Sequence, residues 1–329
     1  MIRNRVFIAL LFGLVLLVQP KFLLAQQPVV TDDEVKVNTY KRFVENRVPN
    51  PGLAYEAAKD YMARYGKEND QYTRYLKTWI AAWEEDERLR KAAEARDDRQ
   101  DKLLQAISQK KFADAYGQAK QVLADDPNNV KVLIPLGYGA FIASTESRNE
   151  TFNADAAGYA AKAVQLIESG KSPDTWSPFK NKEDVLGSLE YALGFYSLKT
   201  APENAITHFI NAARIESDRK KAPSTYYYLA AAYQSGSYKK LSEDYTKRFG
   251  NQPETPESKA ALENINKVLD KIIDAYARAV ALAGSDPAHQ SAKAQSMTQL
   301  TNFYKFRHEN SDAGLTDYIA KVLSTPLPQ

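Results

Sequence analysis

One pattern constrains the fold of this chain more than any other: small and apolar residues recur at helical spacing, and proline then ends the run. The stretch KFADAYGQAKQVLADDPNN, residues 111–129, places Ala115, Ala119 and Val122 at steps of four and three before Pro127. Residues three and four apart share one face of an α-helix, and proline cannot continue a helix. Alanine on that face leaves little to hold two helices apart. The pattern therefore predicts helices that pack closely in pairs.

The same succession of helix and stop recurs along the chain. The segment after Pro127 carries a second helical pattern, with Leu133, Leu136 and Gly137 on one face. No segment shows the sustained alternation of apolar and polar residues that a half-buried β-strand needs. The sequence therefore predicts an all-α protein.

These spacings resemble the tetratricopeptide repeat, a helix pair of about 34 residues that stacks on its neighbours. The residues that carry the resemblance are Ala115, Ala119, Pro127, Leu133, Leu136 and Gly137, then Ala205, Phe209 and Ala212, then Tyr226, Leu229, Ala230 and Tyr233, and finally Tyr276, Ala279 and Pro287. It covers roughly residues 103–323 and is interrupted by two insertions, TESRNETFN and GSYKKLSEDYTKRFGNQPETPES. The resemblance implies an α-solenoid of antiparallel helix pairs, a right-handed superhelix made irregular by the insertions.

The residue types that carry most catalytic chemistry are scarce. The 329-residue chain has no cysteine and three histidines, which excludes disulfides and thiolate sites and leaves little imidazole for metal binding. The dipeptide His308-Glu309 lacks the second histidine of a zinc-binding helix, and no glycine-rich phosphate loop occurs. We therefore predict that the protein is not an enzyme and holds no metal and no cofactor.

The first 25 residues have the features of an export signal. Arg3 and Arg5 precede an apolar run of 13 residues, VFIALLFGLVLLV, and the segment ends at Ala25. This run is shorter than the roughly 20 residues of a spanning helix, although an uncleaved anchor is the alternative. Without residues 1–25, the 44 Lys and Arg lose three and equal the 41 Asp and Glu, so the net charge is zero. We expect an exported protein that is periplasmic, extracellular or envelope-associated, with no stable membrane span after cleavage and no nucleic-acid partner.

These features divide the chain into five predicted parts. They are a signal peptide at 1–25, a disordered linker at 26–33, an N-terminal helical region at 34–97, the repeat array at 98–325 and a tail at 326–329. The N-terminal region places Tyr72, Tyr75, Leu76, Trp79 and Trp83 on one helix face. It ends in a charged connector helix, EEDERLRKAAEARDDRQ.

Tyrosine is the residue type in excess, with 20 in the chain. An aromatic side chain on a groove is a typical binding anchor, although packing between helices would explain most of these tyrosines equally well. The resemblance implies that Lys131, Ile134, Tyr138, Tyr227 and Ala231 face a concave groove. Some members of the family bind a partner's C-terminal carboxylate with Lys, Asn and Arg at such positions. This chain departs from that pattern, because apolar and aromatic residues occupy four of these five places.

The sequence thus predicts a non-catalytic protein-interaction or scaffolding module of the bacterial cell envelope, which binds a segment of a partner protein on a mixed aromatic and polar groove. An alternative is a periplasmic or surface protein that binds a solute or glycan, which a closed pocket around Trp79, Trp83 or Trp176 would favour. An enzyme would need a buried pair of carboxyl groups with a raised pKa in a cleft. The partner's identity and the oligomeric state stay open.

Overall fold

A computed structural model describes residues 31–328, and within them it contains helices, turns and loops but no β-strand. The all-α prediction is confirmed, and the helices pack mainly against their neighbours in sequence. The α-helices are α1 (Asp32–Asn46), α2 (Pro51–Tyr65), α3 (Gln71–Ser108), α4 (Phe112–Asp125), α5 (Val130–Ser147), α6 (Asn153–Glu168), α7 (Lys182–Ser197), α8 (Pro202–Arg214), α9 (Pro223–Tyr233), α10 (Lys239–Phe249), α11 (Pro256–Ala283), α12 (Gln290–Arg307) and α13 (Leu315–Lys321).

Local sequence signals begin several of these helices. Thr31 and Glu34 form a capping box at the start of α1, and Thr255 and Ser258 form one at the start of α11. Prolines occupy the first turn of α2, α8, α9 and α11. The N–H groups of the first turn have no partner within the helix, so proline, which lacks an N–H, breaks no hydrogen bond there. Pro127 lies in the exposed loop between α4 and α5. These five prolines therefore mark helix boundaries, as their place in the pattern indicates, whereas Pro135 lies inside α5.

The helices form two units, and the division falls after Ala92, inside α3. In the N-terminal unit, α1 packs against α2 around a core that contains Phe43, Tyr61 and Leu76. Three fully buried alanines of α2 belong to the same core: Ala54, Ala57 and Ala58. Because these side chains are small, the backbone of α2 lies close to its neighbours.

In the C-terminal unit, each helix from α4 to α9 packs on the next, and α9 then packs on α11 and α11 on α12. α10 packs against α11 and against the π turn at Gln234–Tyr238 that precedes it, but none of its residues is buried. The segment predicted as the second insertion therefore folds largely as a surface helix.

Small residues allow the closest helix contacts in the C-terminal unit. Ala115 and Ala119 of α4 are fully buried. A β-carbon added to Gly137 of α5 would lie 2.7 Å from the Cα of Ala160 in α6, so only glycine fits where these helices meet. Most other residues of the repeat pattern are buried as well, namely Leu133, Leu136, Ala205, Phe209, Ala212, Tyr226, Leu229, Ala230, Tyr233, Tyr276 and Ala279, while Pro287 is exposed at the start of a 3₁₀ turn.

The structure of residues 31–328 can be compared with the predicted division of the chain into five parts. The signal peptide predicted at 1–25 lies outside them, as does most of the linker. α1 begins at Asp32 with Thr31 as its N-cap, so the last two residues of the linker predicted at 26–33 are helical. The charged connector continues the aromatic helix before it, since α3 runs from Gln71 to Ser108. No helix within residues 31–328 is both long and apolar enough to cross a membrane.

Candidate functional site

A line of aromatic rings crosses the C-terminal unit from α5 to α12. It consists of Tyr138, Phe141, Tyr191, Phe195, Tyr227, Tyr228, Tyr276 and Phe303, and we call it the aromatic band. Neighbouring ring centroids along it are 5.2 to 6.4 Å apart, within the range of about 4.5 to 7 Å at which aromatic pairs attract each other. Tyr191 and Tyr276 are buried, and the other six rings are half-buried. Six rings therefore keep part of their surface open to solvent.

Helical spacing produces the first part of this band. Tyr138 and Phe141 are three apart on α5, and Tyr191 and Phe195 are four apart on α7, so each pair shares a face of its helix. Because α5 packs against α7, the Phe141 and Phe195 rings meet at 5.2 Å and nearly at right angles. Tyr228 of α9 then meets Phe195 at 5.8 Å, again edge to face. Edge-to-face contacts of this kind are favourable for aromatic rings.

The hydroxyl of Tyr196 fixes the part of α5 that carries Tyr138. This hydroxyl donates to the Gly137 carbonyl at 2.9 Å and accepts from the Phe141 N–H at 2.8 Å. These two backbone groups are four residues apart, so they are the partners of one helical hydrogen bond. Tyr196 of α7 thus clamps α5 at the turn that presents the first two rings of the band.

The hydroxyl of Tyr116 makes the equivalent contacts one residue earlier. It donates to the Leu136 carbonyl and accepts from the Ala140 N–H at 3.0 Å. Pro135 lies inside the same helix, where it removes one backbone donor. Burial raises the pKa of both Tyr116 and Tyr196, so both hydroxyls keep the proton that they donate.

Arg219 borders the band and lines a cavity beside it. It lies on the 3₁₀ turn Asp218–Lys221, between α8 and α9. Its guanidinium carbon is 4.3 Å from the centroid of the Tyr191 ring and 5.6 Å from that of Phe141, and Nη2 donates to the Tyr138 hydroxyl. The first two contacts are cation–π interactions. The cavity has a volume of about 310 Å³, and its lining includes Tyr138, Phe179, Lys180, Asp184, Asp218 and Arg219.

Hydrogen bonds hold the turn that carries Arg219. Thr225 Oγ1 donates to the Arg219 carbonyl at 2.7 Å, and the Asp218 N–H donates to the Asp184 carboxylate at 2.9 Å. Lys180 pairs with Asp218 at 2.6 Å, and this pairing holds the pKa of Asp218 below its usual value. The guanidinium of Arg219 is therefore held in place by the aromatic rings that it contacts and by the hydrogen-bonded turn that carries it.

Two of the five predicted groove residues, Tyr138 and Tyr227, belong to the aromatic band. Lys131 is exposed on α5, and Ala231 is half-buried one turn after Tyr227 on α9. Ile134 differs from the expectation, since it is buried in the cluster formed by α5, α6 and α7. The physical reason is that α5 packs against α4, α6 and α7 together, which leaves Ile134 no open side.

Sequence analysis did not identify Phe141, Phe195, Tyr228 or Arg219. The three-residue spacing from Tyr138 was a signal that could have indicated Phe141. Arg219 had no such signal, because it lies on a turn 81 residues away from the tyrosine that it contacts. Only the packed helices bring these groups together.

The positions of the three tryptophans are relevant to the alternative of a protein that binds a solute or glycan. Trp79 and Trp83 stack at 5.8 Å in the N-terminal unit, whereas Trp176 packs in a core cluster of the C-terminal unit. Trp83 and Tyr55 line a cleft of about 720 Å³ together with Glu84 and other charged residues. The cleft is an open one, and of the three tryptophans only Trp83 lines it.

Buried polar groups elsewhere in the C-terminal unit form pairs. Asp274 and Arg278 of α11 are both buried, with Nε 2.6 Å from Oδ1, and Glu190 is buried against Nδ1 of His208 at 2.7 Å. Burial raises the pKa of Asp274, and its partner is a guanidinium rather than a second carboxyl group. Within residues 31–328, no three His, Asp or Glu side chains lie close enough to hold a metal ion.

Comparison with known proteins returns no match: no family model, no curated protein and no solved structure matches this chain.

Proposed function

We propose that this protein is a non-catalytic binding module of the bacterial cell envelope, which holds a segment of a partner protein on the aromatic band. One observation carries the proposal: half-buried rings contact one another in succession across α5, α7 and α9, namely Tyr138, Phe141, Phe195, Tyr228 and Tyr227. Aromatic residues are the commonest anchors of protein interfaces. A line of them on successive helices suits an extended or helical segment.

The packing of the band supports this role. Each ring already rests against the next, so a bound segment would freeze few side-chain rotations. Tyrosine also offers an apolar ring and a polar hydroxyl to the same partner. In interfaces of this type a few anchors dominate, and removal of one costs about 2 kcal/mol or more.

The arrangement of the helices supports the finer proposal of an irregular tetratricopeptide-like α-solenoid. Helices of the C-terminal unit pack in sequence order, and small residues lie at their contacts, as at Gly137 and Ala160. In a stacked array of helix pairs, each pair buries its apolar face against the next one. Aromatic residues from several pairs then fall on a shared surface.

A binding experiment with a matched control tests the proposal. The chain from residue 26 onward is immobilised and exposed to envelope extract, as wild type and as the double variant Phe195→Ala/Tyr227→Ala. Tyr245→Ala is the control, because this half-buried tyrosine lies on α10 and its ring contacts Phe249. Circular dichroism verifies that all three proteins are folded.

We expect one protein to be retained by the wild type and by Tyr245→Ala, and retention to fall at least about tenfold for the double variant. The segment responsible is then located with overlapping peptides of the retained protein. Equal retention by the double variant would contradict binding on the band.

A second candidate is the binding of a solute or glycan at the cleft beside Trp83, which is open rather than the closed pocket that this alternative predicts. The lining of the cleft supports this candidate, because the Trp83 ring, which stacks on Trp79, provides an apolar surface next to the Glu84 carboxylate, to which the Tyr55 hydroxyl donates. Titration of tryptophan fluorescence with an oligosaccharide panel tests this candidate. A response that Trp83→Ala abolishes would favour it, and no response from any sugar would eliminate it.

A further inference from the structure

The N-terminal unit exposes an aromatic and apolar patch on α1 and α3. Of the ten large apolar or aromatic side chains that are exposed within residues 31–328, seven lie in this unit. On α1, Val37 is 65% and Val44 is 46% exposed, and on α3 both Tyr72 and Tyr75 are exposed. The half-buried Tyr40 ring connects the two helices, since its centroid is 4.6 Å from that of Tyr72. We call these five residues the N-terminal patch.

Helical spacing places the α1 part of this patch away from the core. Val37, Tyr40 and Val44 follow each other at steps of three and four, so they share one face of α1. The other side of the helix carries Thr39 and Phe43, which are both buried. Folded monomers rarely expose a contiguous apolar patch, and the patches that they do expose commonly mark an interaction surface.

Two opposite charges flank the α1 part of the patch at equal distances. Asp33 lies seven residues before Tyr40 and Arg47 lies seven residues after it, which is about two helical turns in each direction. Both charged side chains are exposed. Within residues 31–328 neither pairs with a group of opposite charge, since Arg47 donates to the Tyr75 hydroxyl at 2.8 Å and Asp33 has no hydrogen bond or ion pair. The exposed face of α1 is therefore acidic at its start, apolar in the middle and basic at its end.

We propose that the N-terminal patch binds the same patch of a second copy of this chain, with the two α1 helices antiparallel. In this arrangement Tyr40 lies near the two-fold axis, and Asp33 of each copy lies next to Arg47 of the other. Val37 of each copy faces Val44 of the other, so apolar side chains meet in the interior of the interface and opposite charges meet at its rim. This dimer does not depend on the binding role of the aromatic band.

The distribution of charge favours a second copy over other occupants of the patch. A surface with opposite charges at equal distances from its centre is complementary to itself, because a two-fold rotation exchanges its two ends. Parallel helices would instead place Asp33 next to Asp33 and Arg47 next to Arg47, and like charges repel each other. An anionic lipid surface prefers helices whose polar face is rich in Lys and Arg, whereas one acid and one base flank this patch.

Sedimentation velocity tests whether the patch drives association. The chain from residue 26 onward is studied at about 1 to 200 µM as wild type, as Val44→Asp and as the matched control Leu262→Asp. Leu262 lies on α11 and is 44% exposed, close to the 46% of Val44. Far-UV circular dichroism and thermal unfolding establish that each variant is folded.

The interface is small, because α1 has 15 residues and is therefore about 22 Å long. We expect wild type and Leu262→Asp to form a dimer with a Kd of about 1 to 100 µM, and Val44→Asp to weaken it at least about tenfold. A wild type that stays monomeric over the whole range, or a Val44→Asp variant that dimerises equally well, would overturn the proposal.

Charge reversal tests the pairing of Asp33 with Arg47. Asp33→Arg and Arg47→Asp each bring like charges together in a homodimer, so at low ionic strength each variant alone should associate at least about fivefold more weakly than wild type. An equimolar mixture of the two should regain the association, since one variant then offers two cations to the two anions of the other. Each reversal also opposes the dipole of α1, and the mixture controls for this effect because it contains the same two chains. A mixture that associates no better than the separate variants would contradict the pairing.

Cross-linking tests the direction of the helices, and the absence of cysteine from the chain makes it specific. Val37→Cys and Val44→Cys are made with tags of different size, mixed and mildly oxidised. Antiparallel helices should link one variant to the other in preference to itself, and the reverse preference would overturn the proposal. The double variant Phe195→Ala/Tyr227→Ala should dimerise as wild type does, so the dimer and the protein-binding role of the band fail independently.

Discussion

Tyrosine serves this chain in two ways at the scale of single residues. Within the aromatic band the ring is what matters: the Tyr228 ring contacts Phe195 and Phe209, and its hydroxyl has no hydrogen-bond partner among residues 31–328. At α5 the hydroxyl is what matters, because that of Tyr196 bridges a carbonyl and an N–H of the helix. Substitution by phenylalanine separates the two roles, since it removes the hydroxyl and keeps the ring.

We expect Tyr196→Phe to lower the free energy of unfolding by about 1 to 2 kcal/mol, because it removes two hydrogen bonds from a half-buried site. Tyr228→Phe should change it by less than about 0.5 kcal/mol. Urea denaturation of both variants, followed by far-UV circular dichroism, provides the comparison. Equal effects of the two substitutions would show that the clamp on α5 adds nothing to stability.

Asp70 makes the stability of the N-terminal unit dependent on pH. Its carboxylate accepts from the Thr73 N–H at 2.7 Å at the start of α3 and pairs with Lys36 at 2.9 Å. The backbone hydrogen bond from Thr73, followed by the pairing with Lys36, lowers the pKa of Asp70 to about 2. A carboxyl group whose pKa is lowered by folding stabilises the folded state above its ordinary pKa, and that stabilisation disappears as the pH falls through the folded value.

We expect the wild type to lose about 1 kcal/mol of stability in this unit between about pH 4.5 and pH 2, beyond the loss shown by Asp70→Asn. Asparagine is a suitable control because it still caps a helix but does not titrate. In a Trp176→Phe background, fluorescence reports Trp79 and Trp83 of this unit alone. Parallel pH profiles for the two proteins would rule out a contribution from Asp70.

At the scale of helices, two glycines with different surroundings test how α5 and α6 pack. A β-carbon on Gly137 would meet the backbone of Ala160 at 2.7 Å, whereas one on Gly158, in the exposed face of α6, would meet nothing within 4 Å. We expect Gly137→Ala to destabilise the protein by about 2 to 3 kcal/mol and Gly158→Ala to stabilise it by about 0.5 to 1 kcal/mol. Thermal and urea unfolding measure both. Tolerance of alanine at position 137 would mean that these helices are not in close contact there.

The helices and their close contacts could be predicted from the sequence, because the residue patterns that determine them are local. The run that contains Ala115 and Ala119 gave a helix with both alanines buried, and α4 ends at Asp125, next to the predicted stop. Tyr138 and Tyr227 were predicted from their repeat positions. The contact of Arg219 with Tyr138 was not predictable, because it depends on how α5, α7 and the turn before α9 pack together.

At the scale of the whole molecule, the last described residues are tied to the core of the C-terminal unit. Arg278 of α11 donates to the carbonyls of Thr325 and Pro326, both at 2.9 Å, while Asp274 balances its charge. Leu327 packs against the same core. The tail predicted at 326–329 is therefore part of the fold as far as the structure describes it.

We expect deletion of residues 325–329 to lower the free energy of unfolding by about 1 to 3 kcal/mol, because a buried guanidinium loses its carbonyl partners. Deletion of residues 328–329 alone is the control and should have little effect. Differential scanning calorimetry of the three proteins measures the difference. Coinciding unfolding transitions for all three proteins would show that the ion pair with Asp274 is enough to stabilise the buried Arg278.

The hydrogen bonds between Tyr196 and α5 also affect the order in which the nascent chain can fold. Tyr196 lies 59 residues after Gly137, so at about 5 to 20 residues per second the ribosome delivers it about 3 to 12 s later. During that interval α5 can pack against α4 and form its hydrogen bonds with the Tyr116 hydroxyl. The hydrogen bonds of Gly137 and Phe141 with Tyr196 form only after α7 has been synthesised. The nascent chain therefore completes the side of α5 that carries Tyr138 and Phe141 late, after the helix itself has formed.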